Sequence, residues 1–273
     1  MIFNESQLWS NYPVVAFDTE TSGAYPLESE IIELGAVKWY KGEIVGKFQT
    51  LLKPSKPLTE DNIKIHGITN EMVKGAPLLE ERVLEFCEFI DGSILLAHHA
   101  PFDLGFLTPV IEKTGLNFPS NFHLCTSLLS RALLHTSNHK LQTLVKELNL
   151  TGGDAHRAFD DAYACMQVFF KCVEKITDEA TLRRLKQIQV KKIEWNDFCL
   201  YKNAPTVVDQ IVEAIKLDKM IQIMYEGGTN KNKFRPITPK GIVRNPDGDY
   251  VHAQCELDHQ RKRFYLSKIL QIK

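Results

Sequence analysis

The chain has 273 residues, 44 % of them apolar and 25 % charged, with a formal net charge of −1. This is the composition of a folded globular protein and excludes a disordered or fibrous chain, while no apolar run approaches the roughly 18–20 residues of a membrane span. Six scattered cysteines, at 87, 125, 165, 172, 199 and 255, form no CxxC pair, so neither a zinc finger nor a disulfide framework is indicated.

The opening residues, MIFNESQLWSNYP, lack the basic and apolar regions of a signal peptide, so a reducing, cytoplasmic setting is expected. Val14–Phe17 is a short apolar run ending in polar residues. Two β-branched and aromatic stretches, 31–40 and 44–52, flank Lys41-Gly42 and read as a hairpin. Apolar residues at 79, 83, 86, 87 and 90 have helical spacing. Ile94–Ala97 is a second short apolar run, followed by a helix-like segment from Phe102 to Lys113 that Gly115 stops. Residues 141–148 are amphipathic, and 158–175 place Ala158, Ala162, Cys165, Met166, Phe169 and Val173 on one stripe. This order predicts an α/β unit, a mixed sheet flanked by helices, over residues 1–177.

Residues 178–204 are charged, with a helix implied by Leu182, Leu185 and Ile188, and read as a partly helical linker. A short helix over 211–217 follows. Strand-like runs at 221–225, 235–243, 250–255 and 264–272, punctuated by Gly227-Gly228 and Asn245-Pro246-Asp247-Gly248, predict a small β-rich unit over 205–273. The net charge conceals a division. Residues 1–177 carry 15 Lys/Arg against 22 Asp/Glu, and residues 178–273 carry 18 against 12. A basic half of this kind hints at a polyanionic partner, although a solvated charged face gives the same arithmetic.

Three acidic segments stand out. Asp18 and Glu20 project from one face of a strand end, where two carboxylates are costly unless a cation neutralises them. Asp103 follows Ala97-His98-His99-Ala100-Pro101-Phe102 near a helix start, where a carboxylate can equally serve the helix dipole. His156-Arg157-Ala158-Phe159-Asp160-Asp161 opens the last predicted helix of the first unit. Taken singly, each is also explained as a surface charge or a helix N-terminus enriched in acids.

In this order the three segments resemble the motifs of the DEDD exonuclease superfamily, the DnaQ-like nucleases, in the subclass that uses histidine. The likeness spans about residues 12–175 and includes Ile65-His66-Gly67-Ile68-Thr69, Phe102-Asp103-x-x-Phe106 and Leu141 ahead of His156. It is similar to the epsilon proofreading subunits of bacterial DNA polymerase III and their stand-alone relatives. The resemblance implies an RNase H-like fold and metal-binding carboxylates at Asp18, Glu20, Asp103 and Asp161. Asp161, rather than Asp160, falls on the family position. It also implies two Mg²⁺ or Mn²⁺ ions and His156 as the catalytic residue that accepts the proton of the attacking water. Hydrolysis from the 3′ end of DNA, the favoured substrate, would release nucleoside 5′-monophosphates. Thr21, Gly23, His66 and Phe106 are the expected contacts to the terminal nucleotide, though His66 and Phe106 also read as a helix-turn histidine and a core aromatic. Two positions depart from the family pattern: His99 stands where Asn is common, and Cys125 where relatives often carry Asp.

Residues 221–273 resemble a WYL domain, an SH3-like β-barrel module, through Tyr225, Arg235, Pro239-Lys240-Gly241, Tyr250-Val251, Cys255 and Arg261-Lys262-Arg263-Phe264-x-Leu266. Asp249 takes the name-giving tryptophan position. That resemblance implies accessory binding of a nucleic-acid strand or a nucleotide-like effector by Arg235, Tyr250, Lys262 and Arg263. The expected partners are single-stranded or frayed 3′ ends of DNA or RNA, with no membrane; a polymerase or repair partner is compatible but not deducible. The competing readings are an exoribonuclease of the same fold and a non-catalytic nucleic-acid or nucleotide sensor.

Overall fold

The computed structural model describes residues 2–202, 204–227 and 233–273; Gly228 of the expected Gly-Gly turn lies outside the described residues. Strands β1 (Val14–Thr21), β2 (Ile31–Tyr40) and β3 (Glu43–Leu51) form an antiparallel meander. The short helices α1 (Glu60–His66) and α2 (Asn70–Val73) and the longer α3 (Leu79–Ile90) lead to β4 (Ile94–Ala97), which pairs parallel to β1. Helix α4 (Ala100–Thr114) precedes β5 (Phe122–Cys125), parallel to β4, so the sheet order is β3-β2-β1-β4-β5. Helices α5 (Thr126–Leu133), α6 (Leu141–Glu147) and α7 (Ala158–Val173) complete this layer.

Side-chain alternation along β1 sorts the two faces of the sheet. Val15 and Phe17 pack against Val83, Phe86 and Ile90 of α3 and Leu104, Leu107 and Ile111 of α4. Val14 and Ala16 pack against Leu144, Cys165 and Phe169 on α6 and α7. Asp18 and Glu20 continue the second row, and the strand therefore carries both carboxylates toward α7.

The 178–204 segment, read as a charged and partly helical linker, is helical in part and packs on the first unit. Helix α8 (Leu182–Gln189) buries Leu182 and Leu185 in the α7 side of the core, and Ile193, Trp195 and Phe198 are buried in the other. Gln189 fastens it, accepting from the Cys125 N–H at 2.7 Å and donating to the Lys191 carbonyl at 2.9 Å. The charged residues seen in the sequence lie on the exposed face of an amphipathic segment whose apolar face docks.

From Leu200 onward the apolar residues join a separate core. Helix α9 (Thr206–Lys216) packs Val208, Ile211 and Val212 against an antiparallel sheet of β6 (Ile221–Tyr225), β7 (Phe234–Val243), β8 (Tyr250–Cys255), β9 (Gln260–Tyr265) and β10 (Ile269–Ile272), ordered β10-β6-β7-β8-β9. The run expected over 264–272 is broken by a 3₁₀ turn at Leu266–Lys268. The sheet curls enough for Tyr225 of β6 to meet Phe264 of β9 edge-to-face at 5.2 Å.

The two units are joined by polar and aromatic contacts. The Glu112 carboxylate of α4 accepts from the backbone N–H groups of Leu200 and Lys202 at 2.7 Å and of Tyr201 at 3.3 Å. A cleft of about 370 Å³ opens between the units, bordered by Pro26, Phe106, Lys113, Tyr201 and Lys216. Among the described residues, no helix is long and apolar enough to cross a membrane.

Candidate active site

Three elements bring the acidic residues together. Asp18 and Glu20 leave β1 on the α7 side, Asp103 sits in the first turn of α4, and Asp161 in the first turn of α7. One ligand atom from each of Glu20, His156 and Asp161 lies within 4.8 Å of the others. Asp103 is only 2 % exposed, and its Oδ1 accepts from both the Oγ1 (2.8 Å) and the N–H (3.1 Å) of Thr19. It is thus tied to the neighbouring strand as well as to its own N–H in the first turn of the helix. Asp161 accepts from Gln142 Nε2 at 2.8 Å and from the His156 N–H at 3.1 Å. Asp160 instead accepts from the Asp154 N–H at 3.0 Å, tying down the loop that delivers His156. His156 is exposed at the rim with a φ of 63°.

Sequence reasoning missed the residues that support this arrangement. Glu33, fully buried on β2 and paired in register with Glu20, takes a bidentate bond from Arg157 (2.7 and 3.1 Å), the Ala158 N–H at 3.0 Å and Gln49 at 3.1 Å. That carboxylate holds the N-terminus of α7, where negative charge is favoured. Gly35, opposite Asp18, lets the helix approach: a Cβ there would lie 2.2 Å from the Phe159 nitrogen. The available signals were an acid and a glycine within a strand run, neither of which names its partner 124 residues away.

The two histidines before α4 have distinct tasks. His98 bridges Thr126 Oγ1 and the His139 carbonyl, both at 2.9 Å, and burial pushes it down to about 4, so it serves as a neutral strut. His99 caps α4 with φ 76°. The left-handed region admits Asn, Asp and His more readily than other side chains, which is the physical reason His can stand at this family Asn position.

Of the expected nucleotide contacts, Thr21 and Gly23 lie just beyond Glu20, with Thr21 Oγ1 donating to the Gly23 carbonyl at 2.7 Å. His66, 5 % exposed at the end of α1, accepts from the Ile68 N–H through Nδ1 at 3.0 Å, while its buried Nε2 has no partner. Burial, with smaller contributions from nearby His156 and Arg157, holds its pKa low against the opposing charge of Glu33, which places it beside the acidic centre. Phe106 is buried in the core against Phe102 at 5.1 Å. Its ring is spent on packing, and what remains exposed lies on the wall of the inter-unit cleft.

The C-terminal residues are likewise engaged. Arg235, expected on an accessible binding face, is 8 % exposed; it donates to Cys255 Sγ at 3.2 Å and lies over the Phe264 ring. Alternation along β7 turns it inward. Lys262 pairs with Asp258, and Arg263 rests over Tyr250 and Tyr25 and donates to the Tyr25 hydroxyl at 3.3 Å.

The electrostatics of the centre call for a cation. Burial, then the charges of Asp103, Glu20 and Asp161, push Asp18 well above the carboxylate range. Burial and the neighbouring acids push Glu20 up to about 8. Burial raises Asp103 to about 7 against the Thr19 hydrogen bond, and raises Asp161 against those from His156 and Gln142. For Glu33, burial is outweighed by Arg157, Ala158 and Gln49, and its pKa falls. Arg157, the nearby guanidinium, is therefore spent on Glu33. Clustered oxygen donors with uncompensated charge fit a hard divalent ion.

Comparison with known proteins agrees with this geometry. Residues 15–169 match the family model RNase_T, described as an exonuclease. The PolC-type DNA polymerase III of Caldanaerobacter subterraneus subsp. tengcongensis is 33 % identical over 266 residues, covering 94 % of this chain and 18 % of its own length. That of Thermotoga petrophila is 40 % identical over 252 residues, covering 90 % and 18 %. The chain therefore spans less than a fifth of the length of these curated relatives. Exonuclease X, solved in complex with 5′ overhanging duplex DNA, has a TM-score of 0.50 and 26 % identity, covering 65 % of this chain and 98 % of that one. Escherichia coli Exonuclease I, solved in complex with a dA16 oligonucleotide, shares the fold at TM-score 0.53 and 14 % identity over 89 % of this chain and 55 % of its own. The chain belongs to the RNase_T exonuclease family and carries that family's DnaQ-like domain over residues 15–169.

Proposed function

We propose that the protein is a divalent-metal-dependent 3′→5′ exonuclease of the histidine-containing DEDD subclass. On this reading it hydrolyses single-stranded or frayed 3′ ends to nucleoside 5′-monophosphates. The observation that carries the reading is the convergence of Asp18, Glu20, Asp103 and Asp161, whose charge is only weakly offset by Arg157, with His156 at their rim. These four carboxylates would hold two Mg²⁺ or Mn²⁺ ions, which when bound relieve phosphate charge and acidify an attacking water. His156, outside the buried carboxylate cluster, accepts the proton from that water, and its backbone N–H keeps it in register with Asp161. Thr19 and Gln142 fix the orientations of Asp103 and Asp161. The Thr21–Gly23 backbone and the unpartnered Nε2 of His66 face the terminal nucleotide.

The PolC-type relatives and the DNA complex of Exonuclease X favour DNA as substrate and a replication or repair setting in the cytoplasm. The second unit, a curled five-stranded antiparallel sheet, fits an SH3-like, WYL-type module, with Arg263 and Tyr250 on the face that meets Tyr25 and Lys262 on the opposite face of β9. The docking of 182–198 on the first core favours a unit boundary near residue 200.

The test is digestion of 3′-labelled DNA and RNA strands with Mg²⁺, Mn²⁺ or chelator. Metal-dependent release of mononucleotides from the 3′ end, lost in Asp18→Ala and Asp161→Ala with circular dichroism unchanged, is expected. Undiminished digestion in either variant would refute the site assignment. Faster release from RNA would make the enzyme an exoribonuclease, and strand binding without release would make it a sensor.

A further inference from the structure

The loop of residues 22–30 begins directly after Glu20 and Thr21 and ends where β2 begins. Its base closes on itself: the Ser22 N–H donates to the Glu30 carbonyl at 2.9 Å, the Glu30 N–H to Ser22 Oγ at 3.0 Å, and the Ser29 N–H to the Tyr25 carbonyl at 3.0 Å. Gly23 is pressed against Ser29, whose Oγ would lie 2.4 Å from an added Cβ.

The tip of the loop is held by the other unit. Tyr25 stacks on His252 of β8, with ring centroids 3.8 Å apart and planes 20° apart, and lies beneath Arg263. The Glu28 carboxylate is 3.1 Å from His252 Nδ1 and also pairs with Arg261. The Ile242 N–H donates to the Pro26 carbonyl at 3.3 Å, and Leu27 packs against the second unit's core. Two features show that both partners are shaped for this contact. Strand β7 shifts register between Pro239 and Gly241, and a Cβ at Gly241 would lie 2.7 Å from Tyr25 Cβ and 3.0 Å from the Pro26 oxygen. Leu27 has φ 72°, a conformation that a leucine abandons unless its surroundings enforce it.

The β7–β8 turn also approaches the first unit. Asn245, Pro246 and Asp247 of the β7–β8 turn face His99 and Pro101, at the start of the helix bearing Asp103, across a cavity of about 300 Å³. The C-terminal unit therefore touches the segment after Glu20 and faces, across that cavity, the segment before Asp103.

We propose that the C-terminal unit clamps the active site, holding the 22–30 loop so that the Thr21–Gly23 backbone keeps the shape that receives the terminal nucleotide. Tyr25, Leu27, Glu28, Gly241 and His252 are positioning residues for the reaction. The proposal rests on the exonuclease reading. It differs from strand binding by the same unit, because a clamp acts even on a substrate too short to reach the clamp.

The experiment compares full-length wild type, Gly241→Val and Leu27→Gly on the nitrophenyl ester of thymidine 5′-monophosphate, or on a dithymidine dinucleotide. Gly241→Val should lower kcat/KM at least fivefold, by the same factor at 50 and 200 mM salt, because no strand phosphates are involved. Leu27→Gly relieves the backbone strain while removing the anchor, so its kcat/KM should fall when assayed well below its own melting temperature, which separates positioning from folding. Rates within twofold of wild type in both variants would overturn the clamp. Absence of metal-dependent nucleotide release from labelled strands by the wild type would instead overturn the exonuclease reading.

Discussion

Glu20→Gln separates the stability of the metal-free protein from its chemistry. Glu20 is held at about 8 against an ordinary 4.5, chiefly by burial and then by the charges of Asp161, Glu33 and Asp103. Its folded value lies above its unfolded one, so between pH 4.5 and 8 the native state binds more protons. Stability is fully present below that window and is lost as pH rises through it. At pH 8 the accumulated cost is about 4 kcal/mol if nothing relaxes. If half survives rearrangement of the neighbouring acids, Glu20→Gln stabilises the metal-free protein by about 2 kcal/mol, roughly 4–8 °C in Tm for a chain of this size. The assay is thermal unfolding by circular dichroism in chelator at pH 4.5 and pH 8. The variant should melt higher at pH 8 and level with wild type at pH 4.5, and should lose metal-dependent hydrolysis. Added Mg²⁺ should raise the wild-type Tm at pH 8 more than at pH 4.5. A variant that melts no higher than wild type at pH 8 in chelator would refute the account of the centre as a buried, uncompensated acid cluster.

Two further substitutions probe the supports of the site. Glu33→Gln removes the charge that receives Arg157 and the Ala158 N–H; with Arg157 29 % exposed, about 2–3 kcal/mol should be lost, less than for a fully buried pair. Its kcat should fall with little change in KM, as measured by denaturant unfolding and steady-state kinetics, because α7 carries Asp161. Glu112→Ala leaves the Leu200, Tyr201 and Lys202 N–H groups without their carboxylate, at about 1 kcal/mol per bond. Amide exchange at residues 200–202 should accelerate while exchange in β1 and β4 stays unchanged.

The sequence and the structure agree where a pattern is local. Alternation in β1 placed Asp18 and Glu20 on one face, and apolar spacing located α3, α4 and α7. Helices α1 and α2 went unread because they are too short for a periodic stripe. Their caps held the signal: Thr59 and Thr69 accept from the third residue of each helix, and Gly67 closes α1 with φ 70°. Contacts made across the chain were not legible. Glu33 and Arg157, Glu112 and Leu200, and Tyr25 and His252 are polar or aromatic residues whose value depends on a partner that no local window contains. Arg235 and Phe106 show the reverse: their chemistry suggested ligand binding, and packing has used it up. Over 178–204 the helix was legible from Leu182, Leu185 and Ile188, but not the core against which its apolar face docks.

The pairing of Asp18 with Gly35 ties catalysis to strand register. A one-residue slip of β2 along β1 would set Leu34 or Ala36 beneath α7 and turn the Glu33 carboxylate to the other face of the sheet. Such a chain could keep much of its secondary structure yet leave the helix unseated and Asp161 adrift. On the exonuclease reading, the register of β2 against β1 is therefore as much a condition of turnover as the acidic residues themselves.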